Sequence, residues 1–90
     1  MSSIVHASSR PATVYLIEDD ADLRESLSAL LEVNGFVPRS FASAEDFLAK
    51  GPNDRPACAV VDLRLPGMSG LDLQKKLHAE QPHLPVIVVT

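Results

Sequence analysis

Three continuous apolar runs limit what this chain can become: Val14-Tyr15-Leu16-Ile17, Ala57-Cys58-Ala59-Val60-Val61 and Val86-Ile87-Val88-Val89. None alternates with polar residues, so each reads as a strand buried on both faces, the pattern of a parallel sheet clothed by helices. Each run also delivers a polar group at its end. The first leads into Glu18-Asp19-Asp20, the second into Asp62 and the third into Thr90. A carboxylate at the end of a buried strand is costly to keep charged without a partner or a cation.

The segments between these runs read as helices and one weaker strand. Leu23, Leu27, Leu30 and Leu31 fall at i, i+4, i+7 and i+8, so residues 20–33 form an amphipathic helix with Arg24, Glu25, Ser28 and Glu32 opposite. Asp20 is placed to cap its start and Asn34-Gly35 to end it. Phe36 to Phe41 reads as a second strand, and Pro38 within it points to a sheet edge. Ser43-Ala44-Glu45-Asp46 has capping-box spacing and opens a short helix with Phe47 and Leu48 inward. Gly51 to Pro56 is a turn-rich connection. Ser69-Gly70-Leu71-Asp72 repeats the capping spacing and opens a helix to about Glu80, with Leu71 and Leu77 expected among its buried residues. The order is β-α-β-α-β-α-β, which predicts an α/β, doubly wound parallel sheet. Residues 1–11 are Ser-rich without periodicity and read as a flexible arm before a single domain at 12–90.

Composition excludes several function classes. A net charge of −4 argues against direct nucleic-acid binding by this segment. No run approaches the roughly 20 apolar residues of a membrane span, and no basic-then-apolar leader opens the chain, so a cytoplasmic protein is expected. The single cysteine, Cys58, reads as a small buried hydrophobe. His6, His78 and His83 lack metal-site spacing and read as surface residues, and Tyr15 as core.

In an open parallel sheet, ligands bind beyond the carboxyl ends of the strands, near the reversal of strand order. Glu18, Asp19, Asp62 and Thr90 all belong to that end. Converging carboxylates repel one another, and a hard divalent cation such as Mg²⁺ answers the repulsion with few protein ligands. There is no Gly-rich phosphate loop, so a nucleotide phosphate is not the expected ligand. A carboxylate beside Mg²⁺ can itself attack phosphorus. Position then suggests Asp62 as the nucleophile, Asp19 and Glu18 as holders of the metal, and Thr90 as a hydroxyl contacting the phosphoryl group. Asp20 is divided between helix cap and metal site, with the cap favoured.

These residues resemble a family. Leu16-Ile17-Glu18-Asp19-Asp20, Arg24, the stretch Val60-Val61-Asp62-Leu63-Arg64-Leu65-Pro66-Gly67-Met68-Ser69-Gly70, and Val88-Val89-Thr90 are similar to the receiver domain of two-component response regulators. The branch resembled is the nitrogen-fixation-regulator type, whose members usually carry a DNA-binding output domain downstream. The resemblance implies a flavodoxin-like sheet of order 2-1-3-4 and a sensor histidine kinase donating phosphoryl to Asp62 with Mg²⁺, a signalling role and not that of an enzyme. It also implies Asp19 as direct metal ligand, Glu18 as an outer one, the backbone carbonyl of Arg64 as a further ligand, Pro66 and Gly70 as residues shaping the loop, and Thr90 as the switch residue.

A full receiver continues past this point with a helix, a strand ending in a phosphoryl-pairing lysine, and another helix. The chain ends at Thr90, and Lys75 and Lys76 belong to the third helix, so that lysine is not among its residues. An apolar last strand at the sheet edge is expected to pair with another chain, giving a homodimer or swapped oligomer. The alternative function is a degenerate receiver serving as a protein–protein interaction module without phosphorylation. A small Mg²⁺-dependent phosphatase is the third reading, disfavoured because such enzymes usually place an Asp-x-Asp pair after the first strand.

Overall fold

A computed structural model describes residues 11–51 and 57–89. Four strands, β1 (Thr13–Ile17), β2 (Val37–Phe41), β3 (Ala57–Asp62) and β4 (Val86–Val89), alternate with three helices, α1 (Ala21–Val33), α2 (Ala44–Lys50) and α3 (Gly70–Glu80). All strand pairs are parallel and the order is β2-β1-β3-β4, as the resemblance implied. The expected arm lies outside the described residues except for Pro11. Most of the Gly51 to Pro56 connection and Thr90 lie outside them as well.

Local chemistry sets the helix starts. The side chains of Asp20, Ser43 and Ser69 accept from the N–H groups of Leu23, Asp46 and Asp72 at 3.0–3.1 Å, each satisfying an otherwise orphaned donor of the first turn. Asp20 is thus the cap of α1. That helix closes in a Schellman arrangement, with Gly35 N–H donating to Glu32 C=O and Phe36 N–H to Leu31 C=O, both at 3.0 Å.

The chain moves from β1 to β2 in one direction and from β2 through β3 to β4 in the other. Right-handed crossovers therefore place α1 on one face of the sheet and α2 and α3 on the opposite face. Tyr15, Ile17, Ala59 and Val61 form the main core with Ala44 and Phe47 of α2 and Leu73 and Leu77 of α3. Tyr15, Phe41 and Phe47 make an aromatic cluster within it, with the Tyr15 and Phe47 rings 5.2 Å apart. Every residue of β1 is buried, which fits its central place in the order.

Three expectations need correction. Leu71 is exposed, because the inward stripe of α3 runs through Gly70, Leu73 and Leu77 and leaves Leu71 round the side. No residue of α1 is buried. Leu27 and Leu31 are half-buried while Leu23 and Leu30 are exposed, since the helix rests mainly on β1 and β2. β4 lies exposed at the sheet edge, as expected of the last strand, with Val86 and Val88 half-buried and Ile87 and Val89 exposed. Cys58 is half-buried, and burial pushes its thiol pKa up. Among the described residues, no helix is long and apolar enough to cross a membrane.

Candidate functional site

The register of the two central strands brings the acids together. Ile17 pairs with Val61, so the residues that follow them, Glu18 just past β1 and Asp62 at the end of β3, stand at the same level. β1 and β3 are also the strands between which the order reverses, so the crevice beyond their ends is where this fold leaves room for a ligand. Carboxylate oxygens of Glu18, Asp19 and Asp62 lie within 4.8 Å of one another. Glu18 is buried, Asp62 half-buried and Asp19 exposed, so the cluster grades from the protein interior to solvent.

Glu18 is held on all sides. Its N–H continues the ladder to Phe41 C=O at 3.0 Å, and its Oε2 accepts from Asp20 N–H at 3.0 Å. The Arg24 guanidinium donates through Nη1 to the Glu18 carbonyl at 2.7 Å, crossing from the first turn of α1 back to the end of β1. Burial raises the Glu18 carboxyl pKa above its ordinary value. The Asp20 N–H opposes the rise, and the Asp62 and Asp19 charges reinforce it.

Asp62 is fixed by the loop that follows it. Leu63 N–H donates to Val89 C=O at 2.7 Å, and Arg64 N–H donates to Asp62 Oδ1 at 3.0 Å. Gly70 N–H closes the loop back onto Leu63 C=O at 3.3 Å. A Cβ at Gly70 would collide with the Asp62 carbonyl oxygen and lie 2.9 Å from Leu63 Cα, so only glycine lets α3 start this close to Asp62. Leu65 anchors the loop in the core, while Arg64 and Pro66 are exposed beside it. Thr90 lies outside the described residues; Val89 before it pairs with Asp62. Lys75 and Lys76 are both on α3, where Lys76 pairs with Glu80 at 2.9 Å.

Two contacts were not foreseen from the sequence. Arg24 belongs to the motif but reads by periodicity only as part of a wet helix face. Its spacing, one turn beyond the acids, was the available signal for the contact with Glu18. Glu45 reads only as a first-turn acid of α2, yet its Oε2 accepts from Met68 N–H at 3.1 Å. No local pattern signals a contact spanning 23 residues.

Three carboxylates this close form an all-oxygen donor set suited to a hard divalent cation. Burial is the main cause of the raised Glu18 pKa and the Asp62 and Asp19 charges add to it; a cation among the three carboxylates would offset that second contribution. Asp62, half-buried and open to solvent at its outer side, is also placed to react with an incoming electrophile.

Comparison with known proteins agrees with the geometry. Residues 14–90 match the response regulator receiver domain. The chain is 49% identical over 78 residues to the transcriptional regulatory protein FixJ of Azorhizobium caulinodans, covering 86% of this chain and 36% of FixJ. It is 46% identical over 78 residues to the C4-dicarboxylate transport transcriptional regulatory protein DctD of Rhizobium meliloti, covering 87% of this chain and 17% of that regulator. The structure of full-length FixJ from B. japonicum superposes with a TM-score of 0.78 at 38% identity, over 87% of this chain and 38% of that one. The chain therefore spans well under half the length of the regulators it resembles. It belongs to the family of response regulator receiver domains.

Proposed function

We propose that residues 12–90 act as the phosphoacceptor part of a two-component phosphorelay, with Asp62 as the residue that takes the phosphoryl group. The observation that carries this reading is the approach of the Glu18, Asp19 and Asp62 carboxylates to within 4.8 Å at the reversal of strand order. An Asp62 oxygen forms a bond to phosphorus while the bond from phosphorus to the donor's imidazole nitrogen breaks, and the imidazole recovers a proton. Asp19 and Asp62, the Arg64 carbonyl and, as an outer ligand, Glu18 would hold Mg²⁺. Bound there, Mg²⁺ supplies compensation for the negative charge of the phosphoryl group. Thr90 donates its hydroxyl to a phosphoryl oxygen, and Pro66 and Gly70 shape the loop that carries the metal-binding carbonyl.

The donor is a sensor histidine kinase, which sets the exchange in the cytoplasm. The matched relatives are named as transcriptional regulators and are longer than this chain, which supports a DNA-binding output domain in a longer parent protein. Ile87 and Val89 on the edge strand support association with a second copy.

Incubation with Mg²⁺ and a small phosphodonor tests the assignment by intact mass. A gain of one phosphoryl group, absent from Asp62→Asn, is expected. A gain that persists in Asp62→Asn would overturn the nucleophile, and no gain in the wild-type chain would favour the interaction-module reading instead.

A further inference from the structure

We propose that Glu45 is a positioning residue that sets the loop after Asp62 in the conformation required for metal binding. The inference rests on the metal-site reading above and adds to it a residue from α2, an element that contributes no ligand.

Besides the Leu63 N–H to Val89 C=O and Arg64 N–H to Asp62 Oδ1 bonds at its start, the loop from Leu63 to Ser69 is fastened at three further points. At its base, Gly70 N–H donates to Leu63 C=O at 3.3 Å. In its middle, Leu65 is buried in the α2/α3 core. At its far side, Met68 N–H donates to Glu45 Oε2 at 3.1 Å. The last fastening is the only one of the three made by a side chain's charge. A carboxylate accepting from a backbone N–H makes a stronger bond than a neutral acceptor.

Gly67 packs beside the same carboxylate oxygen. Its φ is +72°, a left-handed conformation that side chains disfavour. A Cβ there would stand 2.9 Å from Glu45 Oε2. The loop thus turns its bare backbone toward Glu45, and the carboxylate occupies the space a side chain would need. Glu45 itself projects from a fixed base. Ala44 beside it and Phe47 two residues on are both fully buried, so α2 cannot shift without disturbing the core.

The Arg64 carbonyl lies between the first two fastenings and the Asp62 carboxylate at the start of the loop. Releasing the Met68 end lets the loop move relative to β3, and ligands held by outer contacts lose affinity when those contacts are removed. Glu45 has no part in the metal's coordination, so its effect acts through the loop.

The test is a Mg²⁺ titration of the ¹⁵N-labelled full chain followed by amide shifts. Glu45→Ala is expected to raise the Mg²⁺ Kd about tenfold, to shift the Met68 amide resonance and to speed its hydrogen exchange. Glu45→Gln keeps an acceptor oxygen at the same reach without the charge and is expected to restore both readouts in part. Glu45→Asp keeps the charge but falls one methylene short, and is expected to behave like Glu45→Ala. This variant also serves if Glu45→Ala does not fold. Wild-type binding that neither Glu45→Ala nor Glu45→Asp weakens would overturn the role of Glu45 and leave the metal site standing. A wild-type chain whose amides near Asp62 do not respond to Mg²⁺ would overturn the metal-site reading, and the inference with it.

Discussion

The Arg24 guanidinium donates to the main-chain carbonyl of Glu18 at 2.7 Å, tying the first turn of α1 to the end of β1 across the acidic turn. That carbonyl belongs to the first residue of the acidic turn, so Arg24 stiffens the backbone that carries Glu18 and Asp19.

Removing that donor is expected to loosen the turn. Arg24→Ala should cost about 1–3 kcal/mol, the range for a hydrogen bond from a charged group whose partner is left partly buried. Urea unfolding measures it. A change within a few tenths of a kcal/mol would mean that water replaces the guanidinium at no cost.

The buried Glu18 carboxyl predicts a pH dependence with a definite sign. Its folded pKa lies above the ordinary value near 4.5, with desolvation as the largest cause. The folded state therefore binds more protons than the unfolded one across that window. The contribution of Glu18 to stability is greatest in acid and is lost as pH rises through the raised folded value. The stability of the wild-type chain relative to Glu18→Gln should fall over that range in the presence of a chelator. Mg²⁺ should reduce the fall by offsetting the contribution of the neighbouring carboxylates. Urea midpoints collected across the window decide it, and a pH-independent difference between the two proteins would refute the burial argument.

Gly70 is expected to tolerate no side chain. A methyl group there meets the carbonyl oxygen of Asp62 and the Cα of Leu63. Backbone shifts forced by such overpacking cost roughly 1–3 kcal/mol. Gly70→Ala should lower stability by that amount and displace Asp62, reducing its rate of phosphorylation as well. Unfolding and intact-mass time courses on the same sample separate the two effects.

The edge strand should govern association. Ile87 is 53% and Val89 42% exposed, and an apolar edge invites pairing with another chain. Light scattering of this chain is expected to show a dimer or larger species, shifted toward monomer by Ile87→Lys. A wild-type chain that is already monomeric would contradict the expectation.

Much of the architecture was legible before any coordinates. Continuous apolar runs marked β1, β3 and β4, Pro38 marked β2 as an edge, and the capping residues Asp20, Ser43 and Ser69 marked where the helices begin. These signals are local, since a cap or a strand period involves residues a few positions apart. Burial on the helices was less legible. Leu71 and Leu73 are both apolar and sit on the same helix, and only the direction from which the sheet meets α3 selects Leu73.

The sequence by itself determined the order of elements and hence which acids terminate which strands. It placed Glu18, Asp19 and Asp62 at the same end of the sheet, because parallel strands bring all their carboxyl ends together. Tertiary structure decided the rest. The Ile17–Val61 register sets how closely the carboxylates approach, the burial of Glu18 sets the direction of its pKa shift, and the packing of α2 brings Glu45 to Met68. Each depends on groups distant along the chain, whose distances exist only once the sheet and helices have packed.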